Sequence, residues 1–186
     1  MRLFVALQIA AEVRESLAAL IAEFRPLAAK LKWVRADNLH LTLKFIGETE
    51  SERLDAVRAA LAELRSGKPA ELQVRGLGFF PNARWPRVFW AGVQASDNLA
   101  ALAADIDAAC ATLGFAREKH SYSPHLTLAR LESTHPTGAL REAIERNEAR
   151  EFGSFWASEF HLIESRLKSA GAEYTTVQSF PFVSER

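Results

Sequence analysis

Apolar and polar residues alternate in two copies of one tetrapeptide, His-Leu-Thr-Leu. The first copy is residues 40–43 and the second is residues 125–128. Successive side chains of a β-strand point to opposite faces of the sheet. Each copy therefore predicts a strand that buries its two leucines and displays its histidine and threonine on the other face.

The rest of the chain predicts helices and strands around these two motifs. Apolar residues at helical spacing predict helices at 11–30, 50–66, 97–114 and 138–148. Apolar runs predict further strands at 2–8, 70–79, 87–93, 152–167 and 173–183. Thr49 and Glu52 fit a capping box for the second helix, and Asp97 fits the cap of the third.

The order of these elements recurs along the chain. One predicted helix precedes each motif and another follows it, and His40 and His125 are separated by almost half the chain. This recurrence indicates a duplicated unit, although residue identity outside the motifs is sparse. Two such strands facing each other would present two imidazoles and two hydroxyls to one bound group.

Composition and charge limit the class of protein. A chain of 186 residues suits one domain or two closely fused lobes. Lys plus Arg and Asp plus Glu both total 23, which argues against a protein that coats long nucleic acid. If the chain handles RNA, it is expected to bind a terminus in a local cleft.

Cysteine usage and hydropathy indicate a reduced, cytoplasmic protein. Cys110 is the only cysteine, so an intramolecular disulfide is excluded, and its place on an apolar helical stripe predicts a buried thiol. No run approaches the roughly 18 apolar residues that a membrane span requires. No membrane association is expected.

Two histidines with two threonines suit phosphoryl chemistry. A histidine has an unperturbed pKa of about 6.5, so a pair can act as general base and general acid together. The threonine hydroxyls can donate hydrogen bonds to phosphoryl oxygens. One histidine would activate water while the other protonates a leaving ribose oxygen, which makes a 2′,3′-cyclic phosphate the most natural substrate. This chemistry requires no metal or other cofactor.

Other kinds of site fit the pattern less well. A single histidine on a strand is usually structural, but two in identical tetrapeptides make that interpretation weak. The histidines could supply two metal ligands, yet the motifs place no carboxylate on the same faces, and an HExxH sequence is absent. A serine hydrolase is weaker still, because there is no GxSxG motif.

Both motifs and the segments around them resemble one known family. The chain is similar to the 2H phosphoesterase superfamily, and more narrowly to the bacterial and archaeal RNA 2′,3′-cyclic phosphodiesterases, which are also called 2′-5′ RNA ligases. The resemblance covers nearly the whole chain and is carried by residues 1–7, 38–48, 86–93, 124–130 and 162–166.

The resemblance implies a fold and an activity. The fold would be α+β, one bilobal domain over residues 1–186, with two pseudo-symmetric lobes that are each an antiparallel sheet backed by helices, and a cleft between them. The activity would be hydrolysis of RNA or nucleotide 2′,3′-cyclic phosphate to a 2′-phosphate by a monomer. His40 would be the proton donor to the leaving 3′-oxygen and His125 the proton acceptor, with Thr42 and Thr127 binding the phosphate.

A cation for the developing charge is implied at Arg130. Strict alternation along the strand places Arg130 on the face opposite His125, so Arg130 would reach the cleft only through a β-bulge or at the strand's end. Lys44 has the correct parity but lies further along its strand.

Three aromatic residues are candidates for contacts with the base or ribose, because aromatic faces stack on nucleobases. They are Trp33, Phe80 and Tyr122, of which Tyr122 is best placed, three residues before His125. Core packing is the competing interpretation for each. The remaining histidines, His120, His135 and His161, are expected to be structural or exposed.

Two other functions stay open. The same site run in reverse would be a 2′-5′ RNA ligase that joins a cyclic phosphate end to a 5′-hydroxyl. A non-catalytic module that binds RNA ends is a different class, and the intact histidines argue against it.

Overall fold

The computed structural model describes residues 1–132, 137–169 and 171–183. These residues form nine strands and four α-helices: β1 (Arg2–Gln8), α1 (Ala11–Phe24), β2 (Lys32–Trp33), β3 (His40–Glu48), α2 (Leu54–Ala62), β4 (Ala70–Phe80), β5 (Val88–Ala95), α3 (Asp97–Thr112), β6 (His125–Arg130), α4 (Gly138–Arg146), β7 (Glu151–Ala157), β8 (Glu159–Lys168) and β9 (Gly171–Pro181). Three short 3-10 turns precede β2, β3 and α2.

The strands form one antiparallel sheet whose order is symmetric about its centre. The order is β7-β4-β5-β6-β3-β1-β8-β9, and β2 pairs with β6. The two motif strands, β6 and β3, are central neighbours, and three strands flank each of them on the outer side. We call β3-β1-β8-β9 the His40 lobe and β6-β5-β4-β7 the His125 lobe. The α+β prediction with paired lobes is confirmed, although the two sheets are joined into one.

The helices are exchanged between the lobes. α1 follows β1 of the His40 lobe but packs against β7 of the His125 lobe, whereas α3 follows β5 and packs against β3. α2 packs against α3 and β9. Because the helices cover one face of the sheet, apolar residues from both lobes and all four helices form one core cluster. The other face of the sheet is left open for a site.

Two predicted helix boundaries need correction. α1 ends at Phe24 rather than residue 30, because Pro26 cannot continue an α-helix and the chain tightens into a 3-10 turn. α2 begins at Leu54 rather than residue 50. The capping box was wrong, since the Thr49 hydroxyl donates to the Gly47 carbonyl (3.1 Å) and caps no helix.

The other corrections are also local. Ser96, and not Asp97, is the N-cap residue of α3, and its hydroxyl accepts a hydrogen bond from the Glu71 backbone N–H (3.0 Å). The predicted strand 152–167 is two strands that break at Ser158, whose carbonyl accepts from the Phe182 N–H (2.8 Å).

Cys110 is buried in α3 as predicted, and burial raises the pKa of its thiol to about 11. Each helix that the structure describes is too short or too polar to cross a membrane.

Candidate active site

The two motif strands pair through their leucines. Leu41 of β3 is the antiparallel partner of Leu126 of β6, and both side chains are fully buried. Antiparallel geometry then sets His40 opposite Thr127 on the open face, and Thr42 opposite His125. The four polar side chains form a compact group in which each histidine faces the threonine of the other motif.

A β-bulge follows each motif and reverses the alternation of its strand. In β6, Phe89 pairs with Ala129 and Trp90 pairs with Thr127, so Leu128 is an extra residue. Leu128 and Ala129 are consequently both buried, and Arg130 returns to the open face. Arg130 thereby lines one cavity together with His40, Thr42 and Thr127.

The same bulge in β3 removes Lys44 from the site. Leu43 is the extra residue there, so Lys44 points into the helix-covered core with its side chain 2% exposed. Its ammonium group donates to Asp107 Oδ1 (2.7 Å) and to the Ala116 carbonyl (2.7 Å). The expected parity of Lys44 is therefore wrong, and Phe45 takes the position that corresponds to Arg130.

Both histidines are held in one orientation by their own backbone. The Nδ1–H of His40 donates to the Asn38 carbonyl (2.7 Å), and the Nδ1–H of His125 donates to the Ser123 carbonyl (2.8 Å). A carbonyl oxygen only accepts, so Nδ1 carries the hydrogen in each ring. In the neutral ring Nε2 is then the proton acceptor, and in the charged ring it is the donor.

Each imidazole also packs against aromatic rings. His40 lies 4.8 Å from the ring centroid of Phe4 and 5.2 Å from that of Tyr174. His125 lies 4.7 Å from Phe80, whose ring in turn packs on Trp90 (5.2 Å). These contacts limit rotation of the imidazoles and shield them from water.

Burial lowers the pKa of both histidines below the ordinary 6.5. The positive charge of Arg130 adds to the lowering in both, and in His40 the charge of His125 does so as well. The hydrogen bonds to Asn38 and Ser123 oppose these effects only in part. Without a bound anion, both rings are therefore neutral at pH 7.

Two cavities meet the motif strands from opposite sides. The cavity on the His40 lobe has a volume of about 430 Å³. Polar and aromatic side chains line it, among them His40, Thr42, Thr127, Arg130, Phe4, Phe45, Tyr174, Arg2 and Ser165. The cavity on the His125 lobe has a volume of about 640 Å³ and is lined by His125, Phe80, Trp90, Arg75 and Gln94, among others.

The three aromatic candidates have different positions. Phe80 lies in the site against His125. Tyr122 instead donates its hydroxyl to the Thr42 carbonyl (3.3 Å) and ties the two motif strands together, and burial raises its pKa. Trp33 packs edge-on against Phe89 and donates its indole N–H to the Ala28 carbonyl (3.1 Å), outside the set that lines the His40-lobe cavity.

Sequence reasoning missed the residues that surround His40. Phe4 and Tyr174 come from strands at opposite ends of the chain, and no local pattern links either to the motif. The side-chain amide of Asn38 donates to the Ala172 carbonyl (2.8 Å) and ties the β8–β9 hairpin to the same histidine. β1 is an uninterrupted apolar run from Leu3 to Leu7, so no alternation of polar and apolar residues marked Phe4 as part of the open face.

The remaining histidines lie outside this group. His161 is buried and shares a hydrogen bond with the Ser179 hydroxyl (2.9 Å), and His120 is exposed. His135 lies outside the described residues. Within the described ranges, no three His, Cys, Asp or Glu side chains are grouped so that they could hold a metal ion.

Comparison with known proteins identifies a family and relatives with similar sequences. The model of the 2′-5′ RNA ligase superfamily matches residues 13–168. A Methanothermobacter thermautotrophicus protein named RNA 2′,3′-cyclic phosphodiesterase is 33% identical over 180 residues, which are 96% of this chain and 97% of that protein.

Solved structures of similar proteins have the same fold over nearly the whole chain. The crystal structure of a Thermus thermophilus protein has a TM-score of 0.83 and 30% identity, and the match covers 100% of both chains. The E. coli protein LigT in complex with 3′-AMP has a TM-score of 0.78 and 28% identity, with 98% of both chains covered.

Proposed function

The chain belongs to the 2′-5′ RNA ligase superfamily, and from this membership we propose that it hydrolyses RNA or nucleotide 2′,3′-cyclic phosphate to a 2′-phosphate. One observation carries the proposal. The register of Leu41 with Leu126 gathers two identically oriented histidines, two threonines and Arg130 on the open face of the sheet. The names of the relatives agree with that chemistry.

The proton path follows from the orientation of the rings. Neutral His125 takes a proton from water through Nε2 as the water oxygen attacks phosphorus. Protonated His40 gives its Nε2 proton to the 3′-oxygen as the bond from that oxygen to phosphorus breaks. Thr42 and Thr127 donate hydrogen bonds to the phosphoryl oxygens, and Arg130 stabilises the charge that grows on them. The phosphate stays on the 2′-oxygen.

The pKa shifts suit an anionic substrate. The charge of Arg130, which adds to the effect of burial in keeping both rings neutral in the free protein, also attracts a phosphodiester. Bound beside His40, the negative phosphate opposes the effects of burial and of Arg130 and raises the pKa of that ring, because an opposite charge favours the protonated form. Substrate binding thus produces the acid that the reaction needs.

The role of His40 as the proton donor is carried over from the family resemblance, and the His40-lobe cavity could hold the nucleoside that this role implies. The leaving 3′-oxygen belongs to the ribose of the substrate, so the donor lies on the side where the nucleoside binds. The His40-lobe cavity offers the aromatic faces of Phe45 and Tyr174, and Phe45 is 55% exposed. Water would then arrive from the side of His125, where the cavity also presents the aromatic rings of Phe80 and Trp90.

The test is turnover of a 2′,3′-cyclic nucleotide in EDTA, with the product identified by chromatography. The proposal predicts a single product, the nucleoside 2′-phosphate, at the same rate with and without chelator. Phe45→Ala should raise KM because a stacking face is lost, whereas Trp156→Ala, which removes an exposed aromatic from β7, should not. Absence of turnover, loss of turnover on chelation, or formation of the 3′-phosphate would each refute the proposal.

Two wider expectations belong to the same proposal. The enzyme acts as a monomer in the cytoplasm, where RNA ends are available. Sedimentation at the concentration of the assay checks the first, and cell fractionation checks the second.

A further inference from the structure

The His40-lobe cavity contains a second cation, Arg2, to which the hydrolysis mechanism gives no role. Arg2 lines this cavity together with Ser165, its partner on β8. Its side chain is exposed, and among the residues that the structure describes it forms no ion pair, although Glu48 is its partner on β3. The guanidinium group of Arg2 is therefore available to an anionic ligand in the cavity.

The open face of β1 presents three successive positions in an order that matches an RNA strand. Ala6 lies opposite Thr42, which in the proposed function binds the reacting phosphate. Phe4 lies opposite Phe45, whose ring is 55% exposed and offers a stacking face for the nucleoside. Arg2 is the next position on the same face. A phosphate site, a nucleoside site and a cation thus follow one another along the strand.

The spacing of these positions suits one nucleotide. Side chains on one face of a strand recur at every second residue, about 7 Å apart, so Arg2 lies about 13 Å along β1 from Ala6. A nucleoside on Phe45 fills the middle of this interval. The long side chain of Arg2, which lines the same cavity, covers part of the remaining distance.

Electrostatics also connect Arg2 with the site. Burial raises the pKa of Tyr174, whose ring contacts His40, and the charges of Arg130 and Arg2 both oppose that rise. The two guanidinium groups are therefore close to one ring of the same cavity. Arg130 shares the end of the cavity with His40 and the reacting phosphate, whereas Arg2 lies two open-face positions further along β1.

The chemistry of an RNA end identifies the ligand for this second cation. The group that is anionic and lies one nucleoside away from a cyclic phosphate is the phosphate on the 5′-oxygen of the same nucleoside. Arginine binds phosphate oxygens through two parallel N–H donors, and a serine hydroxyl can donate to a third oxygen. A cyclic mononucleotide with a free 5′-hydroxyl has no such group.

We infer that Arg2, with Ser165 beside it, forms a subsite for the phosphodiester on the 5′-oxygen of the terminal nucleoside, so that the enzyme selects oligonucleotide 3′ ends over cyclic mononucleotides. This inference rests on the proposed function. The contact is remote from the reacting phosphorus and is equally strong in the ground state and in the transition state. It therefore lowers KM and leaves kcat unchanged.

The experiment compares kcat and KM for three substrates of the full chain. They are adenosine 2′,3′-cyclic phosphate, the same compound with a 5′-phosphate, and the dinucleotide ApA ending in a 2′,3′-cyclic phosphate. Wild type should favour both 5′-substituted substrates about 10-fold through KM, the lower end for a hydrogen bond to a charged group, because Arg2 is exposed. Arg2→Gln should bring this ratio of kcat/KM values close to one, and Arg2→Lys, which keeps the charge, should retain part of it.

A matched control and the unfavourable outcomes complete the test. Arg146→Gln removes an exposed arginine from α4 and should keep the ratio of wild type. Turnover of the mononucleotide with a wild-type ratio near one, or with a ratio that Arg2→Gln leaves unchanged, would overturn the inference alone.

A gain confined to one of the 5′-substituted substrates would overturn the inference as well. A gain with the dinucleotide only would assign it to the second nucleoside, and a gain with the 5′-phosphate only would indicate a site for mononucleotides. Absence of turnover with all three substrates would refute the proposed function, and the inference with it.

Discussion

Replacing Lys44 with methionine separates a structural from a phosphate-binding role for this lysine. Its ammonium group is buried and is held by Asp107 (2.7 Å) and the Ala116 carbonyl (2.7 Å). Burial opposes ionisation of Asp107, but the hydrogen bond from Lys44 and the backbone N–H of Glu118 hold the pKa of that carboxyl below its ordinary value. Lys44→Met keeps an unbranched apolar side chain of nearly the same length and removes the charge, which leaves Asp107 without its buried partner.

The structure indicates the size of the loss. Breaking a buried ion pair by removing one partner costs about 3–5 kcal/mol. Asp107 retains Arg117 at 2.8 Å, so we expect Lys44→Met to cost about 3 kcal/mol, the lower end of that range. Asp107→Leu leaves the ammonium group in the core with the Ala116 carbonyl and, at 3.5 Å, the half-exposed Glu118 carboxylate, and should also cost about 3–5 kcal/mol. For a chain of this size, about 3 kcal/mol lowers Tm by roughly 6–12 °C.

Urea unfolding measures these values, with two controls. Lys32→Met breaks an ion pair to Glu132 whose side chains are 67% and 70% exposed, and should cost at most about 1 kcal/mol. The double variant Lys44→Met/Asp107→Leu removes both charges and should recover most of the loss, with cyclic nucleotide turnover intact. A cost below about 1 kcal/mol for Lys44→Met would refute the buried-pair reasoning. A folded double variant that has lost phosphate affinity would show Lys44 to be a phosphate ligand.

Three further predictions follow from the site. Arg130→Ala should lower kcat about 100- to 1000-fold, the cost of losing one charge-stabilising donor, and equal rates would remove Arg130 from the mechanism. The profile of kcat/KM against pH should be a bell centred below 6.5, because burial lowers the pKa of both His40 and His125 in the free protein and catalysis needs one ring charged and one neutral. Activity then falls as pH rises above 6.5, and Arg130→Ala should move the bell to higher pH; a bell centred above 6.5 in wild type would contradict this. Tyr122→Phe should lower the free energy of unfolding by about 0.5–1.5 kcal/mol in urea, because the hydrogen bond to the Thr42 carbonyl is lost, and an unchanged value would show that bond to be negligible.

Local patterns predicted the elements of the fold because burial of one face gives each element its period. Alternation in 40–43 and 125–128 identified both motif strands and the face of each histidine. Helix ends were less predictable, since the 3-10 turn at Pro26 and the hydrogen bond that occupies the Thr49 hydroxyl depend on tertiary contacts. The single-domain boundary stays a prediction.

The bulges at Leu43 and Leu128 explain why strict alternation failed beyond the motifs. One extra residue places the side chains that directly follow it on the face opposite to the expected one. Lys44 therefore lies in the core, and Arg130 lies on the open face. Local sequence patterns also could not predict contacts between strands that are far apart in the sequence. Tyr174 contacts His40 from β9, near the far end of the chain. The Trp90 ring packs over Gly78, which becomes its neighbour only through the pairing of β4 with β5.

The division of labour between the two histidines is the central claim, and a leaving group that needs no proton tests it most directly. The measurement compares His40→Ala and His125→Ala on a 2′,3′-cyclic nucleotide and on a nucleoside p-nitrophenyl phosphodiester, whose p-nitrophenolate departs without protonation. Both variants should lose about 100- to 10,000-fold on the cyclic substrate. On the p-nitrophenyl substrate His40→Ala should recover most of its rate, whereas His125→Ala should stay impaired. Recovery by His125→Ala in place of His40→Ala would reverse the roles, and near-wild-type rates for either variant on the cyclic substrate would contradict the two-histidine mechanism.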